Sequence, residues 1–130
     1  MKFPIAIEAG NDTQAWGVVV PDLPGCFSAA DDGIDAAIEN AKEAITLWIE
    51  AAIDEGRAIP SASSITTLQS EPAYKGWIWA IAEVDPALVD DTITRINITL
   101  PRRILARIDA QARQAGESRS GYIAHMALMR

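Results

Sequence analysis

A chain of 130 residues, 49% hydrophobic and 22% charged, has an ordinary globular composition, which excludes a disordered polar tail, a collagen repeat or a disulfide-stapled scaffold. Folding such a length removes about two thirds of the unfolded surface from water, enough for one modest core with an appendage and too little for two large domains. The formal net charge of −7 divides unevenly: residues 1–91 hold 16 acidic residues against four basic ones, a net −12, whereas residues 92–130 hold seven arginines against Asp109 and Glu117, a net +5.

Charge segregated in this way implies different partners, because nucleic acid repels the acidic stretch and attracts the arginine-rich one. A solvated acidic surface with a basic tail is the plainer alternative. Cys26 is the single cysteine, so no internal disulfide forms, and no Cys/His cluster has zinc-site spacing, which fits a reducing interior. No metal or cofactor is expected. The N-terminus lacks an apolar signal core, and the longest apolar runs fall far short of the roughly 20 residues that span a bilayer, so a soluble cytoplasmic protein is expected.

In chain order, Phe3, Ile5 and Ile7 alternate with Lys2, Ala6 and Glu8, the period of a strand with one buried face. Gly10-Asn11-Asp12 reads as a turn. Residues 16–20 (Trp-Gly-Val-Val-Val) form a β-branched second strand that Pro21-Asp22-Leu23-Pro24-Gly25 stops with turn chemistry. A short third strand follows over 26–29. Asp32 is placed as a helix N-cap, with Asp35 favouring the positive helix start. From there Ile34, Ile38, Ala41, Ile45, Trp48, Ala52 and Ile53 recur at helical spacing, and Gly56 stands where a C-terminal cap belongs. Residues 57–76, with Pro60, Pro72 and several serines, read as a loop or irregular hairpin. A fourth strand over 77–84 ends at Asp85-Pro86.

The order β-β-β-α-β predicts an α+β unit with a mostly antiparallel sheet and one helix on one face. One helix cannot cover both faces of four strands. Yet in the last strand Trp77, Trp79 and Ile81 point one way and Ile78, Ala80 and Ala82 the other, so both faces are apolar. The uncovered face either meets a partner or is roofed by residues 57–76.

Over 94–100, Ile96, Ile98 and Leu100 alternate strictly with Arg95, Asn97 and Thr99. Pro101 suits the first turn of a helix whose stripe is Ile104, Leu105, Ile108, Ala112 and Ala115 and which stops at Gly116. Ser118 then caps a second helix carrying Tyr122, Ile123, Met126 and Ala127. A lone strand and two short helices cannot close a core alone. Pairing the strand with its copy in a second chain does so, which predicts a two-fold homodimer with Ile96, Ile98, Leu100, Ile108, Tyr122 and Ile123 in its core. Pairing of such dimers into a tetramer stays open. The other face of the two-stranded ribbon carries Arg95, Asn97 and Thr99 twice over, side chains suited to base edges in the major groove. Ser118, Arg119 and Ser120 open the second helix, where N–H groups and hydroxyls suit a phosphate. The division expected is 1–86, a linker over 87–93, and 94–130.

The stretch 95–129 resembles a ribbon-helix-helix domain, through Arg-Ile-Asn-Ile-Thr-Leu-Pro (95–101), Ile-Asp (108–109) and Gly-Glu-Ser-Arg-Ser-Gly-Tyr-Ile (116–123). The amino-terminal stretch resembles the HicB antitoxin fold, through Asp-Leu-Pro-Gly-Cys-Phe-Ser (22–28) and Asn-Ala-Lys-Glu-Ala-Ile (40–45). One departure is the turn before the helix, where the family's Gly-Asp-Thr type is Ala30-Asp31-Asp32-Gly33. The resemblance implies the antitoxin of a HicA–HicB pair. Its first domain, similar to a truncated RNase H fold, would bind a small basic mRNA-cleaving HicA toxin and cover its catalytic histidine. Its second would repress the shared operon by binding operator DNA. No toxin-contact motif transfers, so the toxin-binding candidates are the tryptophans Trp16, Trp77 and Trp79.

Catalysis is the weaker reading. A two-metal nuclease needs converging carboxylates, but Asp12, Asp22 and Asp35 sit in turn and cap contexts, leaving Glu8 alone. His125 has no Cys or carboxylate at i±4 and reads as a surface or interface residue. Cys26 follows a turn glycine and reads as a small buried thiol. No catalytic residue is expected. The alternative function is a ligand-responsive repressor whose first domain senses a small molecule.

Overall fold

The computed structural model describes residues 1–129, apart from the side chain of Leu88. It has two compact units, Met1–Asp91 and Thr92–Arg130. Arg130, one of the seven arginines, lies outside the described residues.

In the first unit, β1 (Lys2–Glu8), β2 (Trp16–Val19), β3 (Phe27–Ala30) and β4 (Ile78–Glu83) make one sheet in the order β3-β2-β1-β4, antiparallel throughout. A proline in a central strand normally costs a ladder hydrogen bond. Pro4 is tolerated because of phase. Met1 and Val84 exchange two bonds, each 2.8 Å, and backbone polar groups alternate sides along an antiparallel pair. The odd residues of β1 therefore bond β4, and the missing N–H of Pro4 is turned toward β2, beyond that strand's last pair, Ala6 with Val19.

The 21-residue α1 (Ile34–Asp54) lies over one face of this sheet, packing mainly on β3 and β2. It buries Ala37, Ala41, Ile45, Ile49 and Ala52, a stripe at steps of three and four. Opposite stand Phe3, Ile5, Ile7, Val18, Val20, Leu23 and Val84, and each large apolar side chain so buried contributes about 1.5–3 kcal/mol. The N-cap of α1 is Gly33 and not Asp32; no side chain caps the helix. The chain enters at φ 115°, a region that a residue with a Cβ rarely adopts, so glycine takes the cap position and Asp32 stays outside. At the other end Gly56 N–H donates to the Ile53 carbonyl and Arg57 N–H to that of Ala52, the two bonds of a Schellman motif.

Between β2 and β3, Cys26 N–H closes on the Leu23 carbonyl at 3.0 Å around Pro24 and Gly25, whose φ of 80° is what a type II turn asks of that position. The turn drives Leu23 into the core, and its Pro24 carbonyl accepts from Trp48 Nε1. Residues 57–76 are not a plain loop or hairpin. They hold α2 (Ile65–Leu68) and a 3₁₀ turn, Pro72–Tyr74. The serines and prolines that read as loop signals are its caps: Ser64 Oγ accepts from Thr67 N–H, and Pro72 opens the 3₁₀ turn. A second 3₁₀ turn, Pro86–Val89, capped by the Asp85 carboxylate, brings Val89 against the core, so the first unit continues through Asp91.

The second unit holds α3 (Arg102–Ala115) and α4 (Arg119–Leu128) packed together. The chain leaves α3 through Gly116 in the left-handed conformation, and Ser118 Oγ caps α4 by accepting from Gly121 N–H at 3.0 Å. Within the single chain, residues 90–101 carry no hydrogen-bonded strand.

Candidate binding surfaces

Cross-strand partners point to the same side of a sheet, so the register sets Phe27, Val19, Ala6 and Trp79 in one row across all four strands. Pro4 and Ile81 form the next row. Both rows lie on the face away from α1, because they alternate with the buried Phe3, Ile5, Ile7 and Val18. Ala6 and Pro4 are the fully buried floor, while Phe27 is 64% and Ile81 48% exposed. Tyr74 stands edge-on to both Trp77 and Trp79, with ring centroids 5.4 and 5.6 Å away, and a shallow groove runs there past Glu71, Pro72 and Lys75. Residues 57–76 thus cover one corner of the face through Tyr74 and leave Phe27 and Ile81 bare.

Of the three tryptophans considered together, the structure unites Trp77 and Trp79. Trp16, paired with Ala30, is three residues from Val19 and so faces α1, packed against the core. Ile81 stands on this face with Trp77 and Trp79, as the alternation of the last strand has it, whereas Phe27 was not singled out in the sequence. For Phe27 the signal was present, since it alternates with buried Cys26 at the start of a strand.

The carboxylates do not converge. Asp22 accepts from Ser63 N–H at 2.8 Å and from its hydroxyl at 2.6 Å, fastening the 57–76 segment to the β2–β3 turn, and Glu8 accepts from Gln14 Nε2. Among the described residues no group of three or more His, Cys, Asp or Glu is placed to hold a metal ion. Burial pushes the Cys26 thiol above its ordinary pKa, which keeps it protonated and unreactive.

In the second unit Arg95, Asn97 and Thr99 are exposed, but so are Ile96 (72%) and Ile98 (57%). Among the described residues of this unit only Ile108 and Ala112 are buried. Leu100, Tyr122 and Ile123 are half-buried, and Ile98, Leu100, Leu105 and Ile123 line an open groove together with Thr99 and Arg119. The start of α4 differs in detail from a free phosphate clamp. Ser118 Oγ is taken by Gly121 N–H, and the Arg119 guanidinium is clamped on Asp109 through two bonds of 2.8 and 2.9 Å. The N–H groups of Arg119 and Ser120 and the exposed Ser120 side chain are what remains. Arg119 holds the Asp109 carboxyl below the usual range, first through the hydrogen bond and then through charge, with Arg113 adding to it. His125 does have a carboxylate partner, Glu117, eight residues back and 3.1 Å away. Arg102, Arg103 and Arg107 are further exposed cations on α3 that strand patterning alone did not bring forward.

No helix among the described residues is long and apolar enough to cross a membrane. The model of the HicB-like antitoxins of bacterial toxin–antitoxin systems matches residues 3–127. A curated relative, an uncharacterized 14.9 kDa protein from the rep–hol intergenic region of Haemophilus phage HP1 (strain HP1c1), is 40% identical over 109 residues, 84% of this chain and 80% of the relative. Among solved structures, the Burkholderia pseudomallei antitoxin HicB superposes with a TM-score of 0.64 at 40% identity, covering 98% of this chain and 96% of the other. A HicA3–HicB3 toxin–antitoxin complex matches with a TM-score of 0.56 at 31% identity, over 66% of this chain and all of the matched chain. A family model spanning both units, together with a HicB of like fold from end to end, shows that the chain belongs to the HicB-like antitoxin family.

Proposed function

We propose that the chain is the antitoxin of a HicA-type toxin, neutralising it through the first unit and repressing the shared operon through the second, which pairs as a ribbon-helix-helix homodimer. The observation that carries this reading is the division of the molecule into a closed acidic unit with one bare apolar sheet face and a basic unit whose described residues bury two side chains.

The first unit, at −12, attracts a basic RNA-cleaving protein and speeds its association, and Trp77 and Trp79 with Phe27 and Ile81 offer apolar contact area. The solved HicA3–HicB3 complex supports a partner of that class. Trp16 contributes to this surface only through the core. The second unit, whose described residues bury only Ile108 and Ala112, is too short a stretch to stand alone. Pairing residues 94–100 with their copy covers Ile96, Ile98 and Leu100 and aims Arg95, Asn97 and Thr99 outward, a β-ribbon for the major groove. The backbone N–H groups of Arg119 and Ser120, with the Ser120 hydroxyl, then meet a phosphate at the positive end of α4, and Ser118 and the Arg119 side chain hold that helix start in place.

The test is to compare the full chain with one ending at Asp91, each made with a HicA-type toxin in growing cells and each assayed on the operon's upstream DNA. The shortened chain is expected to restore growth and to lose all operator binding. Loss of neutralisation along with DNA binding would refute the division of labour.

A further inference from the structure

We propose that the free edge of β4 is where the basic toxin docks, an extended segment of the partner adding to the sheet as a fifth strand; this rests on the antitoxin reading above. β4 pairs with β1 on one side only. The double bond between Met1 and Val84 fixes the phase of the whole strand: Ile78, Ala80 and Ala82 face β1 with their backbone groups, and Trp79, Ile81 and Glu83 face the open edge. Among the described residues no backbone hydrogen bond outside the strand ladders and helices involves those three.

Soluble proteins guard such edges with lysine, proline, a bulge or a very short strand. β4 has none of these over six residues, Ile78–Glu83, and Glu83 is its single charge. The opposite edge, β3, is four residues long. The side chains of the edge-facing residues project onto the bare face, because Trp79 and Ile81 pair with Ala6 and Pro4. An added strand therefore gains main-chain bonds and the apolar corner of Trp79 and Ile81 together, the two parts of strand-addition recognition. Charge chooses the occupant. A second copy of this unit would set −12 beside −12, whereas a basic chain is drawn to the same edge.

Ile81→Pro and Ile81→Ala in the full-length protein separate edge from face. Proline removes the outward N–H without touching the β1 ladder; alanine keeps it. Each variant is titrated with the purified HicA-type toxin of the same operon, and operator binding is measured beside it. The expected result is toxin binding at least about tenfold weaker for Ile81→Pro than for Ile81→Ala, since both lose the isoleucine side chain and proline alone also loses the buried main-chain bond, both with unchanged operator affinity. Equal effects of the two, or none from proline, would overturn the edge assignment. Amide hydrogen exchange of the wild-type protein gives a second measurement, independent of how the proline variant folds. Trp79, Ile81 and Glu83 are expected to slow at least about tenfold when toxin is added. Unchanged exchange overturns the proposal, as does protection already present in the free protein that grows with its concentration, which would mark self-pairing. A wild-type chain that binds no HicA-type toxin overturns the antitoxin reading itself, and this docking site with it.

Discussion

Ile45 is fully buried at the middle of the α1 stripe, where truncation leaves a void that a rigid helix on a sheet cannot close. Ile45→Ala is expected to lower stability by about 2–5 kcal/mol, read from urea unfolding of the first unit; a loss below about 1 kcal/mol would mean that the stripe is loosely packed. Asp109 behaves differently because its role is electrostatic. Its folded-state pKa lies below the ordinary carboxylate value, so its contribution is complete above the unfolded value of about 3.9 and is lost as pH falls through the folded one. The second unit is therefore expected to lose stability in acid below about pH 4, and Asp109→Asn to be less stable than wild type near neutrality and to change less than wild type over that acid range. Helical circular dichroism of both proteins across the range checks this.

Among the elements, the ribbon proposed for residues 94–100 is the most open to test. If residues 94–100 read bases, Arg95→Ala or Asn97→Ala should cost about 1–3 kcal/mol of operator binding and relax the preference at one base position; unchanged operator affinity would remove the ribbon from the DNA interface. Strands and the long helix were legible because alternation and helical spacing are written locally. The first strand, the Gly56 exit and the Ser118 cap needed nothing beyond neighbouring residues. The start of α1 was not legible, because an acid and a glycine compete for one position and backbone φ decides it. Nor were α2 and the 3₁₀ turns, where serine and proline serve loops and caps alike. The bare sheet face was legible from counting one helix against four strands. Its membership was not, since Trp16 and Trp79 look equivalent until the register separates them by an odd number of steps.

At the scale of the whole molecule the charge asymmetry and the structural division coincide: the boundary at Asp91 and Thr92 separates −12 from +5. Sequence order alone gave no order of strands in the sheet, because alternation tells which side a residue faces and not which strand lies next to it. That order is what leaves β4 at an edge.

The placement of the aromatic residues has an optical consequence. All four tryptophans, Trp16, Trp48, Trp77 and Trp79, belong to the first unit, and the second holds Tyr122 as its one strong ultraviolet absorber. Intrinsic emission excited at long wavelength therefore reports on the sheet and α1 and is blind to melting or pairing of α3 and α4. Far-ultraviolet dichroism, which sums the helices of both units, carries the signal that emission lacks. The difference between the two traces isolates the second unit in the intact, unlabelled protein.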